Sequence, residues 1–277
     1  MTVPLERMQI VRAMLEDVQV AADDVDTPRA PVPACLLSPP PGGAPLSAAR
    51  PAADRRPLEA VLRSRTAARV YGDEPLTIGE VGAVLAAAAQ GDATSWDREH
   101  RAGLALDLVL VAWRVTGLGV ATHLYRSKQH ALHQLAPVPY GQAAQDLVLQ
   151  REFALAAALV VVTGPLGGAI ARHGTHGHRT LLLRAGAAAH RAWLAAESLD
   201  LVGCIFAGLL PQAVRELAAA DGFVRAPLLA FAVGRRPVRP GSSAGADTMS
   251  GISGSGSGQV PLLAMPGWDP TASSTLV

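Results

Sequence analysis

The sequence predicts an α+β domain with helices flanking a sheet, on two observations. Short apolar runs bounded by Gly and Pro recur between residues 106 and 233. Stretches with apolar residues at helical spacing lie between and around them. Pro57 suits the first turn of a helix ending near Arg65. Thr77-Ile78-Gly79-Glu80 reads as a capping box: Thr77 accepts from a backbone N–H while Glu80 reaches back. The helix it opens carries Ile78, Val81, Leu85 and Ala88 on one face and is expected to stop at Gly91. Residues 106–113 and 119–125 read as strands, and the β-branched run at 157–162, closed by Gly164-Pro165, reads as a buried one. Residues 181–199 form a long, Ala-rich, mostly apolar helix, of the kind buried at the centre of a domain or a dimer. A short helix at 211–220 and a last strand at 227–233, ended by Gly234-Arg235-Arg236-Pro237, complete the domain.

Around this domain (57–237) the composition changes. Residues 1–27 contain an amphipathic helix with Leu5, Met8, Val11, Leu15 and Val18 at helical spacing. The connector at 28–56 is Pro-rich and is expected to hold no regular structure. Residues 238–277 turn to Gly, Ser and Ala, with a linker-like stretch at 250–258, and are expected to form a flexible tail.

Several function classes fall away on composition. The 24 basic and 23 acidic residues leave a net charge of +1, so no basic field recommends a nucleic acid. Cys35 and Cys204 are too few and too far apart for a disulfide framework or structural zinc, which fits a reducing cytoplasm. Glu6, Glu16 and Asp17 disqualify the N-terminal stretch as a signal peptide, and the longest apolar run, 153–163, is too short to span a membrane. No dinucleotide fingerprint or P-loop is present. His173, His176 and His178 have a spacing that two metal contacts could use, but no acidic or Cys ligand lies close in sequence. A polar loop lining a substrate channel is the preferred reading, with no metal. Cys204 lies in an apolar stretch and reads as a buried, inert thiol, and His190 reads as a core or interface histidine.

The chemistry-bearing motifs form an ordered series. Arg65-Thr66-Ala67-Ala68-Arg69-Val70-Tyr71 is followed by Pro75-Leu76-Thr77. Arg101-Ala102-Gly103-Leu104-Ala105-Leu106 leads into a strand, followed by Val115-Thr116-Gly117-Leu118, His123-Leu124-Tyr125-Arg126 and His130-Ala131-Leu132. Arg172-His173-Gly174 precedes the long helix with its Leu194-Ala195-Ala196-Glu197-Ser198-Leu199, and Gly203-Cys204-Ile205-Phe206-Ala207-Gly208 comes after it. Taken in order, these resemble the nitroreductase-like flavoproteins, and more closely their SagB-type branch, which oxidises thiazolines and oxazolines in ribosomally made peptides.

The resemblance implies a nitroreductase-like fold with a mainly antiparallel sheet, a homodimer with the 181–199 helix at its interface, and FMN as cofactor. It places Arg65 near the FMN phosphate or ribityl chain and Arg69 near the pyrimidine edge, in a segment that includes Thr66 and Ala67. Arg235 and Arg236 take a further phosphate contact, and Ala102-Gly103 and Ala207-Gly208 let backbone lie against the ring system. A phosphate dianion needs fixed cations and backbone donors, which suits this set. Where the branch has Lys-Tyr, the pair thought to help remove the ring proton, this chain has Arg172-His173. Arginine stays protonated, whereas histidine is a base near neutral pH. His173 therefore takes the base's place with Arg172 as an electrostatic clamp, or the pair marks lost catalysis. Ala67 replaces the usual serine and removes one hydrogen bond; Arg101, also at a serine position, either adds a cation or blocks the pocket.

The implied function is FMN-dependent oxidation of azoline rings in a modified precursor peptide, with a cyclodehydratase as a possible partner. The alternatives are a non-catalytic scaffold of the same fold and an NAD(P)H-dependent nitro- or quinone reductase.

Overall fold

A seven-stranded sheet, every neighbouring pair antiparallel, organises the chain. The computed structural model describes residues 9, 31–36, 45–48, 55–174, 176–210, 215 and 220–237. The expected helix around Leu5–Val18 apart from residue 9, residues 28–30, 37–44 and 49–54 of the connector, most of the 211–220 helix and the 238–277 tail lie outside them.

The strands are β1 (Pro45–Ser47), β2 (Leu76–Thr77), β3 (Asp107–Ala112), β4 (Val115–Thr116), β5 (Ala121–Arg126), β6 (Ala131–Pro137), β7 (Ala158–Gly164), β8 (Leu201–Phe206) and β9 (Ala226–Arg235). The large sheet runs β1-β6-β5-β3-β7-β9-β8, and β2 pairs with β4 in parallel apart from it. The helices are α1 (Leu58–Ser64), α2 (Ile78–Ser95), α3 (Asp97–Arg101), α4 (Leu166–His173) and α5 (His176–Ser198).

Central strands β3 and β7 are buried at every position, so they read as continuous apolar runs rather than as an alternating pattern. Their side chains still alternate between two layers. Leu108, Leu110, Val160 and Val162 join the layer containing Val84, Leu85, Ala185, Ala188 and Ala192 of α2 and α5. Val109, Val111, Leu159 and Val161 join Tyr71, Leu147, Phe153 and Phe206 on the opposite face. Phe153 and Phe206 stack there with centroids 4.1 Å apart.

Several elements differ from expectation. Pro57 is the N-cap of α1 rather than part of its first turn. The Thr77/Glu80 capping box is present, but α2 does not stop at Gly91; it runs to Ser95. A Cβ at residue 91 would collide with the Arg191 side chain of α5, so this glycine serves helix–helix contact and not termination. β1 breaks the expectation of an irregular connector. Pro45 opens it at the outer edge of the sheet, a place where a missing N–H removes little. Helix α5 begins at His176, so His176 and His178 lie in its first turns and not in a loop. Within the single chain the long helix is not buried all round: Leu182 and Leu183 are 42% and 65% exposed, and its burial in a dimer remains an expectation. Strand β9 continues through Gly234 and Arg235 because Val202 and Leu201 of β8 pair with them.

A buried polar node joins the helical layer. Asp92 of α2 receives Nε of Arg184 on Oδ1 at 2.9 Å and Nη2 on Oδ2 at 2.8 Å. His100 Nε2 lies 2.7 Å from Oδ2, and the Leu106 N–H donates to the same oxygen at 3.3 Å. Burial pushes the Asp92 carboxyl up, but hydrogen bonds from His100 and Arg184 and their charges outweigh it and hold the group below its usual range. A second node, Asp107, receives Arg225 Nε at 3.1 Å and Arg126 Nη1 at 3.2 Å.

Replacing Arg184 by Met leaves the Asp92 charge buried without its bidentate partner. Loss of about 3–5 kcal/mol is expected in urea unfolding. His123, fully buried on β5, is held below its ordinary value by burial. The unfolded chain therefore takes up a proton that folded His123 resists, so stability falls as pH drops through about 6.5. The urea midpoint should decline between neutral and mildly acidic pH, and His123→Leu should flatten that decline.

Candidate functional site

The candidate residues fall into two groups at different ends of α5. The first lies along the edge strand β8. The Arg65 N–H caps α1 by donating to the Val61 carbonyl at 2.9 Å. Its guanidinium carbon sits 4.2 Å from the centroid of the Trp193 ring, a cation–π contact that fixes the charge beside α5. Thr66, Ala67 and Arg69 are exposed. Ala67 bridges Gly203 in parallel and the Ala68 N–H donates to the Gly203 carbonyl at 3.0 Å, which lays the basic segment against β8. Beneath it, the Tyr71 hydroxyl donates to the Ala68 carbonyl at 3.0 Å. Burial, with Cys204 and Glu152 adding to it, pushes the Tyr71 phenol well above its usual range. Residue 203 tolerates no side chain, since a Cβ would meet the Ala232 carbonyl and the Phe231 ring.

Ala207 and Gly208 continue from β8; Ala207 is exposed, and the Gly208 carbonyl accepts from the Leu149 N–H at 2.7 Å. Arg235 and Arg236 end β9 beside the start of β8, and the Arg235 carbonyl accepts from the Gly72 N–H at 2.9 Å. Their side chains part company. Arg235 grips Glu80 through two contacts of 2.7 and 2.9 Å, joining β9 to the N-terminus of α2. Burial pushes the Glu80 carboxyl up, but the donors at Thr77 and Arg235 outweigh it and hold it below its usual range. Arg236 is exposed and lies 4.0 Å from both Glu197 and Asp200.

The second group surrounds the start of α5. Ala102 caps α3, and Gly103 turns the chain into β3 with a φ of +77°, a conformation that favours glycine. They share a cavity of about 690 Å³ with Arg98, Arg101 and Arg172. Arg101 pairs with Asp97 at 2.7 Å on the surface of α3. His173, the last residue of α4, faces a neighbouring cavity of about 720 Å³ walled by Trp96, Glu99, Leu182 and Leu183. Its Nε2 lies 3.7 Å from Glu99 Oε1, and both side chains are less than one-tenth exposed.

Trp193, under Arg65, and Thr180, in the His173 cavity, are separated along α5 by about 20 Å, from a rise of about 1.5 Å per residue. The chain thus lays Arg65, Thr66, Ala67 and Arg69 alongside β8, with Arg235 and Arg236 at the start of that strand and Ala207 and Gly208 past its other end, about 20 Å away at about 3.3 Å per residue, and it brings Ala102, Gly103, Arg172 and His173 to another region. Between them α5 presents an exposed stripe that includes Leu183, Ala187 and His190, and at Gly186 an added Cβ would meet nothing within 4 Å. His190 is on this stripe and not in the protomer core; Cys204 is buried at 6% exposure. Among the described residues, no group of three His, Cys, Asp or Glu is placed to hold a metal, and no helix is long and apolar enough to cross a membrane. Glu99 and Trp193 were not singled out from the sequence. The signal for Glu99 was an acid flanked by Arg98 and His100, legible only once α3 is known to be a helix.

The Nitroreductase family model matches residues 62–235. The chain belongs to this family. Among solved structures, a protein of Anabaena variabilis described as a nitroreductase is 25% identical, with a TM-score of 0.56, covering 65% of this chain and 38% of that one. The chain therefore spans well under half the length of that relative. A nitroreductase-described protein of Ralstonia eutropha is 18% identical with a TM-score of 0.53, covering 77% of this chain and 100% of that one, which shows the fold. A chain of the E. coli microcin synthetase McbBCD complex, with truncated pro-MccB17 bound, is 14% identical with a TM-score of 0.49, over 86% of this chain and 95% of that one. At that score the likeness carries no weight for function. No curated protein matches the sequence.

Glu80→Gln removes the charge that Arg235 grips in a part-buried site. A loss of about 1–2 kcal/mol at pH 7 is expected. Because folding lowers this carboxyl's pKa, its contribution is full above the unfolded value of about 4.3 and fades below it. Thermal unfolding of the two proteins should therefore converge in acid.

Proposed function

We propose that this chain is an FMN-dependent oxidoreductase that works as a homodimer and oxidises azoline rings in a modified peptide to the aromatic azoles. The observation that carries the redox reading is the placement of Arg65 and Arg69 along β8, with Arg236 just past β9 opposite the start of that strand. It sets the anchored cation of Arg65 and the exposed Arg69 beside the small residue Ala67, with Ala207 and Gly208 further along the strand, a set that fits a phosphate-bearing, planar cofactor. Arg235, held by Glu80, supports the backbone of this region more than it offers a charge. When bound, FMN supplies a two-electron acceptor for a hydride, and molecular oxygen reoxidises it.

The dimer reading rests on the separation of the two groups. Antiparallel contact of two α5 helices along the Leu183–Gly186–His190 stripe would set the Arg65 end of one protomer against the His173 end of its partner. Gly186 and Ala187 allow close approach of the backbones. The azoline reading rests on the motif series and on a base-capable His173 in a cavity with the apolar wall of Leu182 and Leu183. There His173 takes the ring proton while the adjacent hydride leaves, Arg172 contributes positive charge from the neighbouring cavity, and aromatisation drives the step. No proton relay through metal is required by this residue set.

Protein purified with added FMN and desalted should keep visible flavin absorbance, and Arg65→Ala/Arg69→Ala should lose it while folding normally by circular dichroism. Leu183→Asp should shift the light-scattering mass from dimer to monomer and release flavin with it. Flavin-loaded protein given a thiazoline-containing peptide should remove two mass units from it. A colourless protein favours the scaffold reading, and NADPH consumption with a nitroaromatic but no peptide oxidation favours the reductase.

A further inference from the structure

A buried carboxylate beside a buried imidazole is an expensive arrangement unless each stabilises the other's charged form. Glu99 and His173 are such a pair, on two different helices, 3.7 Å apart at the wall of one cavity. Helix α3 is short, and its residues divide by direction. Arg98 and Arg101 face the neighbouring cavity, His100 turns to Asp92, and Glu99 alone of its acids faces His173. Asp97 stays on the surface with Arg101.

The arginines placed around His173 oppose its protonation. Arg179 and His176, from the first turn of α5, line the same cavity, and Arg172 precedes His173 on α4. Among the described residues lining that cavity, Glu99 is the only acid. A proton arriving on the imidazole creates a cation among cations, and the Glu99 carboxylate is the group placed to offset it. The position of Glu99 is itself well determined, because His100 on Asp92 and the Leu104 N–H on the Glu99 carbonyl at 2.8 Å hold α3 from both sides.

We propose that Glu99 is the positioning residue of His173: its carboxylate orients the imidazole toward the cavity and stabilises the imidazolium formed when the substrate proton is taken up. The inference rests on the reading of His173 as the base. In the step, one ring C–H bond gives its proton to the imidazole and its electron pair to the new ring double bond, while the adjacent carbon would release its hydrogen with both electrons, as hydride, to the FMN of the proposed function. Glu99 exchanges no proton with the substrate.

The test uses full-length, flavin-loaded protein and a thiazoline peptide. Glu99→Gln keeps shape and removes charge; kcat should fall by about 10–100-fold with KM little changed, the range typical for removing a partner that orients a functional histidine. The acid limb of the pH–rate profile should move to lower pH, because the imidazolium has lost its counter-charge. Glu99→Asp should recover part of kcat. His173→Gln should abolish turnover while flavin absorbance is kept. A second readout needs no turnover: the ring signals of His173 in an NMR titration should move their midpoint to lower pH in Glu99→Gln. If Glu99→Gln does not fold, the same titration on Glu99→Asp should show an intermediate displacement. Full turnover in His173→Gln would overturn the base reading itself. Loss of turnover there, with an unmoved kcat, acid limb and NMR midpoint in Glu99→Gln, would overturn the role of Glu99 alone.

Discussion

Asp92 and Arg184 hold the helical layer in register. The two-pronged contact of 2.9 and 2.8 Å joins α2 to α5 where neither group can reach water. A bidentate geometry fixes both the separation and the rotation of the two helices, which a purely apolar contact between alanines does not. Asp92 also receives His100 and the Leu106 N–H. One side chain therefore positions α3 and the entry to β3, and through α3 it positions Glu99 and the turn at Gly103. The guanidinium carbon of Arg184 additionally lies 5.8 Å from the ring centroid of Trp96, which walls the His173 cavity. The cavity at the start of α5 is thus a consequence of the node beneath it.

The same helix organises the other end. Trp193 contributes one face to the core beside Phe231, with ring centroids 6.3 Å apart, and offers its other environment to Arg65. A rigid helix carrying both groups of candidate residues keeps them a fixed distance apart within one chain. Small residues along α5 and α2 make the close packing possible: alanines at 185, 188, 189 and 192, and Gly91 under Arg191. An alanine-rich composition and a paucity of aromatics are the compositional trace of that packing.

Much of the architecture was legible locally. The capping box at Thr77–Glu80, the buried β7 run and the helical nature of the Ala-rich stretch of α5 are each stated within a few residues of sequence. The elements that were missed lack such local statements. β8 carries Val202, Ile205 and Phe206 but is interrupted by Gly203 and Cys204, and it is a strand because β9 offers its free edge. β1 begins with a proline and exists because β6 leaves an edge to pair. The stop expected at Gly91 failed because glycine has two uses, ending helices and admitting a neighbour, and only the neighbour tells them apart.

The sequence alone carried the family through an ordered series of short motifs, and it marked Arg65, Arg69, Arg172 and His173 as the residues with chemical potential. These are properties of residue type and order, which the linear chain records directly. Tertiary structure decided which of them meet. It engaged Arg235 with Glu80, 155 residues away in the chain, and set Glu99 against His173 across 74 positions. It also set Arg65 and His173 at opposite ends of one helix. Such pairings depend on how the layers stack, and stacking is set by the summed burial of many apolar side chains and not by any segment that could be read on its own.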